Sequence, residues 1–230
     1  MTTRLRGLGI VLALMGILFI AGGAFAFVKT QEGARSLQAL SVAQNVNLTY
    51  NDQGQLTDRG ETEGATAIMS LLKDDWAYPV NAADLNPNDP LVNTPTEYMY
   101  QMAVISYHTL NGTQTIVLPE DVTAADGTVY KAGTYEFAVD GRYWSGFDRT
   151  NPIEAAAREK AWTGTAHALI ANLGVGTATG SALQLGLGIA ALFAGIGALA
   201  LIAGLGLVWA MRAQEEPAFE RALQPRAMPA

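Results

Sequence analysis

The hydrophobic residues of this chain concentrate in two stretches, one near each end. Residues 8–28 and residues 184–211 contain no charged side chain. A helix rises about 1.5 Å per residue, so about 20 residues cross the hydrocarbon core of a bilayer, which is about 30 Å thick. Backbone polar groups in hydrocarbon must bond to one another, and both stretches are therefore predicted to be transmembrane helices.

Helical periodicity continues beyond the first stretch and returns later in the chain. Four residues at helical spacing predict that the first helix runs on: Ala34, Leu37, Leu40 and Ala43. Further helices are predicted at residues 61–72, 96–110 and 153–173. Pro95 and Pro152 precede the last two, in the first-turn position that tolerates proline. The last helix is expected to end before the second span at three glycines, Gly174, Gly176 and Gly180.

Short strand-like segments alternate with turns in the same region. The segments are residues 46–50, 55–56, 113–118, 129–130, 134–139 and 142–144. Turn sequences separate them at residues 51–54, at Asp126-Gly127 and at Asp140-Gly141. Residues 29–183 are therefore predicted to form one α+β domain with a small antiparallel sheet.

Basic residues near the ends of the spans predict the orientation. Arg4 and Arg6 precede the first span, and three arginines follow the second: Arg212, Arg221 and Arg226. The flanks on the domain side of the spans contain few basic residues. Lys29 and Arg35 follow the first span, and Lys160 is the nearest cation before the second. Because basic residues stay preferentially on the cytoplasmic side, both termini are predicted to be cytoplasmic and the domain extracytoplasmic.

The fold class that follows is a membrane protein with two transmembrane helices flanking one extracytoplasmic α+β domain. Its predicted segments are a cytoplasmic tail at 1–7, transmembrane helices at 8–28 and 184–211, the domain at 29–183, and a second cytoplasmic tail at 212–230. The location is the cell membrane.

A cleaved signal peptide is the alternative for the first span. Ala24-Phe25-Ala26 matches a small-residue cleavage site after a basic and then an apolar segment. The apolar run continues through Phe27 and Val28 and is long for a signal peptide. We therefore prefer a retained anchor, and the domain lies outside the cell in either case.

The small residues of the two spans fall on helix faces. These residues are Gly9, Ala13 and Gly16 in the first span, and Gly186, Ala190, Ala194 and Ala198 in the second. Small side chains let helices approach closely, so these faces are predicted docking surfaces, first for the two spans on each other and next for a partner helix. Neither span contains an ionisable residue, which argues against a transporter or pump.

The composition of the domain restricts its partners. Residues 29–184 carry 9 Lys and Arg against 18 Asp and Glu, a net charge of −9. Phosphate binding needs clustered Lys and Arg, so no nucleic-acid partner is expected. The chain contains no cysteine, which excludes disulfides and thiolate metal sites. About 150 residues bury one modest core, which favours a single domain.

Aromatic residues form two clusters in the domain. They are Trp76 and Tyr78 in the first, and Tyr143, Trp144 and Phe147 in the second. Such residues more often build a core, but aromatics are also enriched at interfaces, so these five are candidate partner-binding residues. In an alternative hypothesis the domain is a sensor or binding module, and Trp76, Tyr143 and Trp144 line a small-molecule pocket.

Patterns for catalysis or for metal binding are weak. His108 and His167 fall on separate predicted helices with no linking spacing, and the acidic loop at 84–89 lacks the glycine and the final glutamate of a calcium-binding loop. No nucleophile, phosphate or dinucleotide motif is present. We expect a non-enzymatic protein without cofactor or metal. A hydrolase with an unrecognised triad is a third hypothesis.

One resemblance covers the spans and two flanking helices. The helix Gln101–Leu110, which contains His108, and the approach to the second span through Thr177 and Ser181 resemble small actinobacterial proteins with two spans around an outer domain. Many of these are labelled automatically as aromatic ring-opening dioxygenases, and some are similar to the accessory factor of respiratory supercomplexes of cytochrome bcc and aa3 oxidase. Residues 117–148 have no counterpart there. The resemblance implies a non-catalytic accessory subunit, and the dioxygenase activity is not expected because metal ligands are lacking.

Overall fold

The computed structural model describes residues 2–223, with the side chains of residues 3–212. The chain forms two compact units. One consists of the two ends of the chain, up to Ser36 and from Ala182, and is called the helix pair below. The other is Leu37–Ser181, called the central domain. Among the residues used to predict the orientation, Arg226 lies outside the described residues, and Arg221 outside the described side chains.

Two long helices supply the helix pair and continue into the central domain. Helix α1 spans Thr2–Gln44 and helix α5 spans Gly164–Leu223. Their segments Thr3–Gln44 and Gly164–Arg212 are long and apolar enough to cross a membrane, judged by length and composition. The predicted continuation of the first helix through residues 34–43 is confirmed.

The predicted helix break at Gly174, Gly176 and Gly180 is wrong. Helix α4 spans Pro152–Ala161, the break falls at Trp162 and Thr163, and α5 runs without interruption through all three glycines. A glycine inside a helix costs only about 1 kcal/mol relative to alanine, which packing readily offsets. A Cβ atom added at Gly176 would lie 2.7 Å from the Tyr98 ring, so this glycine allows a close contact inside a continuous helix.

The strands form three separate ladders where one small sheet was predicted. Strand β1 (Thr49–Tyr50) pairs with β2 (Leu56–Thr57), β3 (Thr113–Leu118) with β6 (Gly133–Ala138), and β4 (Val122–Thr123) with β5 (Val129–Tyr130). All three pairs are antiparallel. The turn at Asp126-Gly127 joins β4 to β5, as predicted. The β segment predicted at 142–144 is absent from the described chain, where a 3-10 turn at Trp144–Gly146 follows the extended residue Tyr143.

Three helical segments precede the long ladder. Helix α2 spans Thr62–Ser70 and continues as a π-helical turn at Leu71–Asp75; a 3-10 turn at Ala82–Asp84 follows, and then helix α3 at Pro95–Leu110. Thr94 and Glu97 form a capping box at the start of α3, with each side chain bonded to the other's backbone. This reciprocal cap satisfies two N–H groups that a helix start leaves free.

The core of the central domain lies around α3. Helix α2 packs on one part of α3, and α4 packs on the β3–β6 ladder. The apolar side chains that are exposed by 2% or less are Ile68, Leu72, Val92, Tyr100, Ala103, Ile116, Val139 and Ala157. Ser41 of α1 and Tyr98 of α3 share a buried hydrogen bond of 2.6 Å between their hydroxyls. Tyr98 also contacts Gly176 of α5, so parts of three helices meet at this side chain.

Candidate functional site

The two helices of the helix pair run antiparallel and meet at glycines. A Cβ atom added at Gly9 would lie 2.8 Å from the carbonyl oxygen of Gly204, and one at Gly16 would lie 2.6 Å from that of Gly197. At Gly23 the nearest atom is the carbonyl oxygen of Ala190, 2.9 Å away. Real Cβ contacts are not this short, so the two backbones approach as closely as glycine alone permits.

The contact residues repeat every seven positions. The contact residues on α1 are Gly9, Gly16, Gly23 and Thr30, and those on α5 are Ala190, Gly197 and Gly204, with the buried Met211 as the next position of the repeat. All eight are buried. A seven-residue repeat keeps one face toward the partner when two helices cross at the small left-handed angle of a coiled coil. The helix pair is therefore a coiled-coil-like pair with glycine at its seam.

The residues predicted to form docking faces are distributed unevenly around this seam. Gly9, Gly16 and Ala190 lie in it, and the backbone nitrogen of Ala13 lies against Gly204. Gly186 faces Thr30, whose hydroxyl would be 2.6 Å from an added Cβ. The two remaining residues lie at its margin, Ala198 half-buried and Ala194 exposed. The four-residue spacing used for α5 missed Gly197 and Gly204, because the helices follow a seven-residue repeat.

The rest of the helix-pair surface is apolar. Large side chains on both helices are exposed, among them Leu18 at 71%, Leu199 at 70% and Trp209 at 74%. In water such a surface would be a large unpaired apolar patch. In a bilayer the same side chains meet hydrocarbon, which suits them.

A second candidate site is a cleft in the central domain, called the Trp76–Tyr143 cleft. Its volume is about 600 Å³. It is lined by Ala67, Ser70, Leu71, Asp75, Trp76, Tyr107, Leu110, Asn111, Gly141 and Tyr143. These residues come from the end of α2 with its π turn, from the end of α3, and from the segment after β6. The volume falls within the range of about 300–1,000 Å³ typical of small-molecule sites.

Local backbone geometry places Trp76 in this cleft. Trp76 ends the π turn, and its N–H bonds the carbonyl of Leu71. Ala77 then adopts a left-handed conformation, with φ of 50°. A π turn is a rare insertion in a helix and often occurs at functional positions. It shifts Trp76 out of the periodicity of α2.

A tight turn places Tyr143 opposite. Asp140 and Gly141 both have positive φ, 50° and 73°, as a two-residue hairpin-type turn requires. The Tyr143 hydroxyl accepts a hydrogen bond of 2.8 Å from the Trp76 indole N–H. The Tyr143 ring stacks on the ring of Trp162, with ring centroids 5.7 Å apart. Trp162 is buried and donates its indole N–H to the carbonyl of Arg142 at 3.0 Å. Tyr143 is therefore held from two directions.

The other three predicted aromatic residues do not line the cleft. Phe147 is 5% exposed and belongs to the core, and Tyr78 packs against the core. Trp144 has the Arg158 guanidinium carbon 4.2 Å from its ring centroid, and the His167 ring lies nearly perpendicular to it, with ring centroids 5.2 Å apart. The structure thus brings Trp76 and Tyr143 together and places the others elsewhere.

The cleft residues missed by sequence reasoning include Asp75, Tyr107 and Asn111. Trp162, which stacks on Tyr143 without lining the cleft, was missed as well. They come from elements far apart in the chain, so no spacing links them. One signal was available: Trp76 directly follows Asp74-Asp75, which sets an aromatic ring beside carboxylates.

The two histidines lie in different surroundings. His108 Nε2 is 2.9 Å from Asp58 Oδ1, while His167 packs against Trp144 and Trp162. Within residues 3–212, no serine or threonine hydroxyl is hydrogen-bonded to either imidazole. The described residues also contain no group of three His, Asp or Glu side chains that could hold a metal ion.

Asp58 lies close enough to Tyr100 for its charge to act on that hydroxyl. The hydroxyls of Tyr50 and Tyr100 are buried and have no hydrogen-bond partner in the described part of the chain. Burial raises the pKa of Tyr100, and the charge of Asp58 raises it further. Both hydroxyls therefore stay protonated at neutral pH.

Comparisons of this chain with protein-family models, with characterised proteins and with solved structures find no significant match. Its function is therefore inferred from the helix pair and from the cleft.

Proposed function

We propose that this chain is a non-enzymatic, membrane-anchored accessory or scaffold protein of the bacterial cell envelope. Two spanning helices hold it in the cell membrane, and the central domain is extracytoplasmic. The observation that carries the proposal is the helix pair, in which glycines make the internal contact and large apolar side chains face outward. Such a pair anchors a domain and offers an apolar surface to neighbouring membrane subunits.

The orientation rests on the arginines at the chain ends. Arg4 and Arg6 precede the first apolar stretch and Arg212 follows the second, which favours cytoplasmic termini. The absence of cysteine makes this directly testable, since any introduced cysteine is the only one. We expect Lys131→Cys in the central domain to react with a membrane-impermeant maleimide added to intact cells.

The matched control is Thr3→Cys in the amino-terminal segment. It is expected to react only after the cells are opened. Labelling of Thr3→Cys and not of Lys131→Cys in intact cells would show that the orientation is opposite to the proposed one. Intact-mass measurement of the same purified protein decides between a retained first helix and cleavage after Ala26.

The partner that we propose is an integral membrane protein complex, and first a respiratory supercomplex of cytochrome bcc and aa3 oxidase. This choice is supported by the resemblance of the spans and of the helix around His108 to the accessory factor of such complexes. The test is affinity purification of the tagged chain from native membranes in polymer-bounded lipid discs. We expect oxidase subunits and haem absorbance to co-elute.

The control is an unrelated two-span protein carrying the same tag and expressed to the same level. If the tagged chain elutes without any membrane subunits that are absent from the control, the accessory role is wrong. If a different membrane complex co-elutes, the accessory role stands and the respiratory assignment is wrong.

A second candidate function is an extracytoplasmic ligand-binding or sensor module. It is favoured by the Trp76–Tyr143 cleft, whose two aromatic walls are joined by a hydrogen bond of 2.8 Å. Tryptophan emission of the full chain in lipid nanodiscs, titrated with a small-molecule library, tests it. A saturable change that Trp76→Phe abolishes supports the binding function, and the absence of any such change contradicts it.

A further inference from the structure

The electrostatic character of the Trp76–Tyr143 cleft restricts what can bind there. Asp75 is the only charged residue among those lining it, and this carboxylate has no ion pair or hydrogen bond within the described residues. No lysine or arginine lines the cleft. A phosphate, sulfate or carboxylate ligand would meet an uncompensated negative charge, which disfavours anionic ligands.

The hydrogen-bonding groups of the cleft include both donors and acceptors. The Tyr143 oxygen already accepts a hydrogen bond from Trp76, so its own proton is free to be donated. Asn111 uses its amide nitrogen to bond the carbonyl of Tyr107, which leaves its side-chain oxygen as an acceptor. Asp75 adds two further acceptor oxygens. A ligand that both donates and accepts hydrogen bonds satisfies all three residues.

The remaining walls of the cleft are apolar. Leu71, Leu110 and the rings of Trp76 and Tyr107 contribute to them. The face of an aromatic ring carries partial negative charge and attracts the slightly positive C–H groups of an apolar surface. A sugar ring has such a C–H face together with an edge of hydroxyl groups, and each hydroxyl both donates and accepts.

We propose that the Trp76–Tyr143 cleft binds an uncharged saccharide, with a sugar ring against the aromatic walls and its hydroxyls bonded to Asp75, Asn111 and Tyr143. The volume of about 600 Å³ accommodates a disaccharide or a short oligosaccharide end. An organic ammonium ion fits less well, because its charged group offers no acceptor to the free Tyr143 proton. This inference rests on the proposed binding function of the central domain and is independent of the accessory role.

The test uses the full chain in lipid nanodiscs, because glycoside detergents are themselves saccharides. Cellobiose, maltose and N,N′-diacetylchitobiose are titrated and followed by saturation-transfer NMR and by calorimetry. We expect saturable binding of at least one of the three with a stoichiometry of one. Choline chloride is titrated in parallel as the cationic probe.

Adjacent carboxylates provide a matched pair of variants. Asp75→Asn removes the charge inside the cleft. Asp74→Asn changes a neighbouring carboxylate that accepts a hydrogen bond from Ser70 but does not itself line the cleft. We expect Asp75→Asn and Trp76→Ala to weaken saccharide binding about tenfold or more, and Asp74→Asn to change it less than about twofold. Circular dichroism of each variant establishes that the fold is intact.

Three outcomes overturn the inference. They are no saturable binding of the three disaccharides, equal effects of Asp74→Asn and Asp75→Asn, and saturable binding of choline in place of the saccharides. Binding of a small molecule of another class would leave the proposed binding function standing while the saccharide assignment fails. Co-purification with membrane subunits is measured separately, so its failure leaves this result unaffected.

Discussion

The helix pair and the central domain are closely packed in opposite ways. In the helix pair six of the eight seam residues are glycine or alanine, and backbone atoms of one helix approach backbone atoms of the other at Gly16 and Gly197. In the central domain the interior is filled by large side chains such as Ile68, Leu72 and Tyr100. The first arrangement is therefore sensitive to added volume and the second to lost volume.

The largest expected effect comes from removing volume in the central domain. Leu72 is fully buried against the core, and Leu72→Ala leaves a cavity that costs about 2–5 kcal/mol of unfolding free energy. Urea unfolding of the full chain in nanodiscs, followed by hydrogen exchange in α2 and α3 peptides, measures it. The control is Val129→Ala, at a side chain that is 49% exposed. Equal effects at the two positions would contradict the assignment of Leu72 to the core.

Adding volume to the helix pair is the converse experiment. Gly16→Ala places a methyl group 2.6 Å from backbone atoms of Gly197 and Leu201, which cannot move aside as a flexible side chain would. Overpacking of this kind typically costs about 1–3 kcal/mol. The distance between spin labels at Leu18 and Leu199, both exposed, is expected to increase and its distribution to broaden.

The control for that experiment is a glycine of the same helix pair with free space around it. Gly195 has nothing within 4 Å of an added Cβ. Gly195→Ala should leave the label distance unchanged and improve helix propensity slightly. If both variants shift the distance equally, close packing at Gly16 is not what holds the helices together.

Gly176 tests whether sensitivity to added volume is confined to the helix pair. This residue lies in the central domain, where a new Cβ would lie 2.7 Å from carbon atoms of the Tyr98 ring. Tyr98 is buried and bonded to Ser41, so it has little freedom to move. We expect Gly176→Ala to lower domain stability by about 1–2 kcal/mol, less than Leu72→Ala.

Hydrogen exchange in α3 reports the Gly176→Ala result, and Gly174→Ala is the neighbouring control with nothing within 4 Å. A loss of protection in the Gly174→Ala variant as large as in Gly176→Ala would point to a backbone requirement for glycine and not to the Tyr98 contact.

The smallest expected effect concerns charge in the domain core. Burial raises the pKa of Glu97 above its usual value, although hydrogen bonds from Asn93 and Thr94 oppose the shift. The folded state therefore keeps this proton to higher pH than the unfolded chain does. The protonated Glu97 carboxyl contributes fully to stability below the unfolded pKa of 4.5. This contribution is lost as the pH rises through the pKa of Glu97 in the folded state.

Glu97→Gln should remove that pH dependence and retain the capping box, since glutamine also serves at this position. The urea midpoint of the wild type should fall relative to that of Glu97→Gln as the pH rises above 4.5. Glu63→Gln, at an exposed carboxylate of α2, is the control. A relative midpoint that does not change with pH would show that Glu97 is not desolvated.

Much of the fold follows from sequence because some signals depend on local chemistry alone. Charge-free stretches identified the two apolar helices, Pro95 marked the start of α3, and Asp126-Gly127 marked a hairpin turn. The continuity of α5 did not follow, because glycine was treated as a helix breaker. Whether a glycine breaks a helix depends on what packs against it, and at Gly176 that is Tyr98, a residue distant in sequence.

The candidate sites were predicted by residue type more than by geometry. Trp76 and Tyr143 were selected as aromatics, but the π turn and the positive φ angles that bring them together have no periodic signature. The helix seam was selected for small residues, yet its seven-residue register became visible only from the pairing of both helices. Register is a property of two segments, and one segment's spacing does not determine it.

The glycine seam also has a consequence for how the sequence evolves. Glycine is the smallest residue, and every single-nucleotide change of its codons that alters the amino acid adds a side chain. At Gly9, Gly16, Gly197 and Gly204 each such change places new atoms against the facing backbone. A large core residue can be replaced, by a single-nucleotide change, with another amino acid of similar size. No such replacement of equal size exists for glycine at these positions. The seam is thus a part of the molecule that random mutation can only damage, and its glycines should be among the slowest positions to change in any lineage that keeps this helix pair.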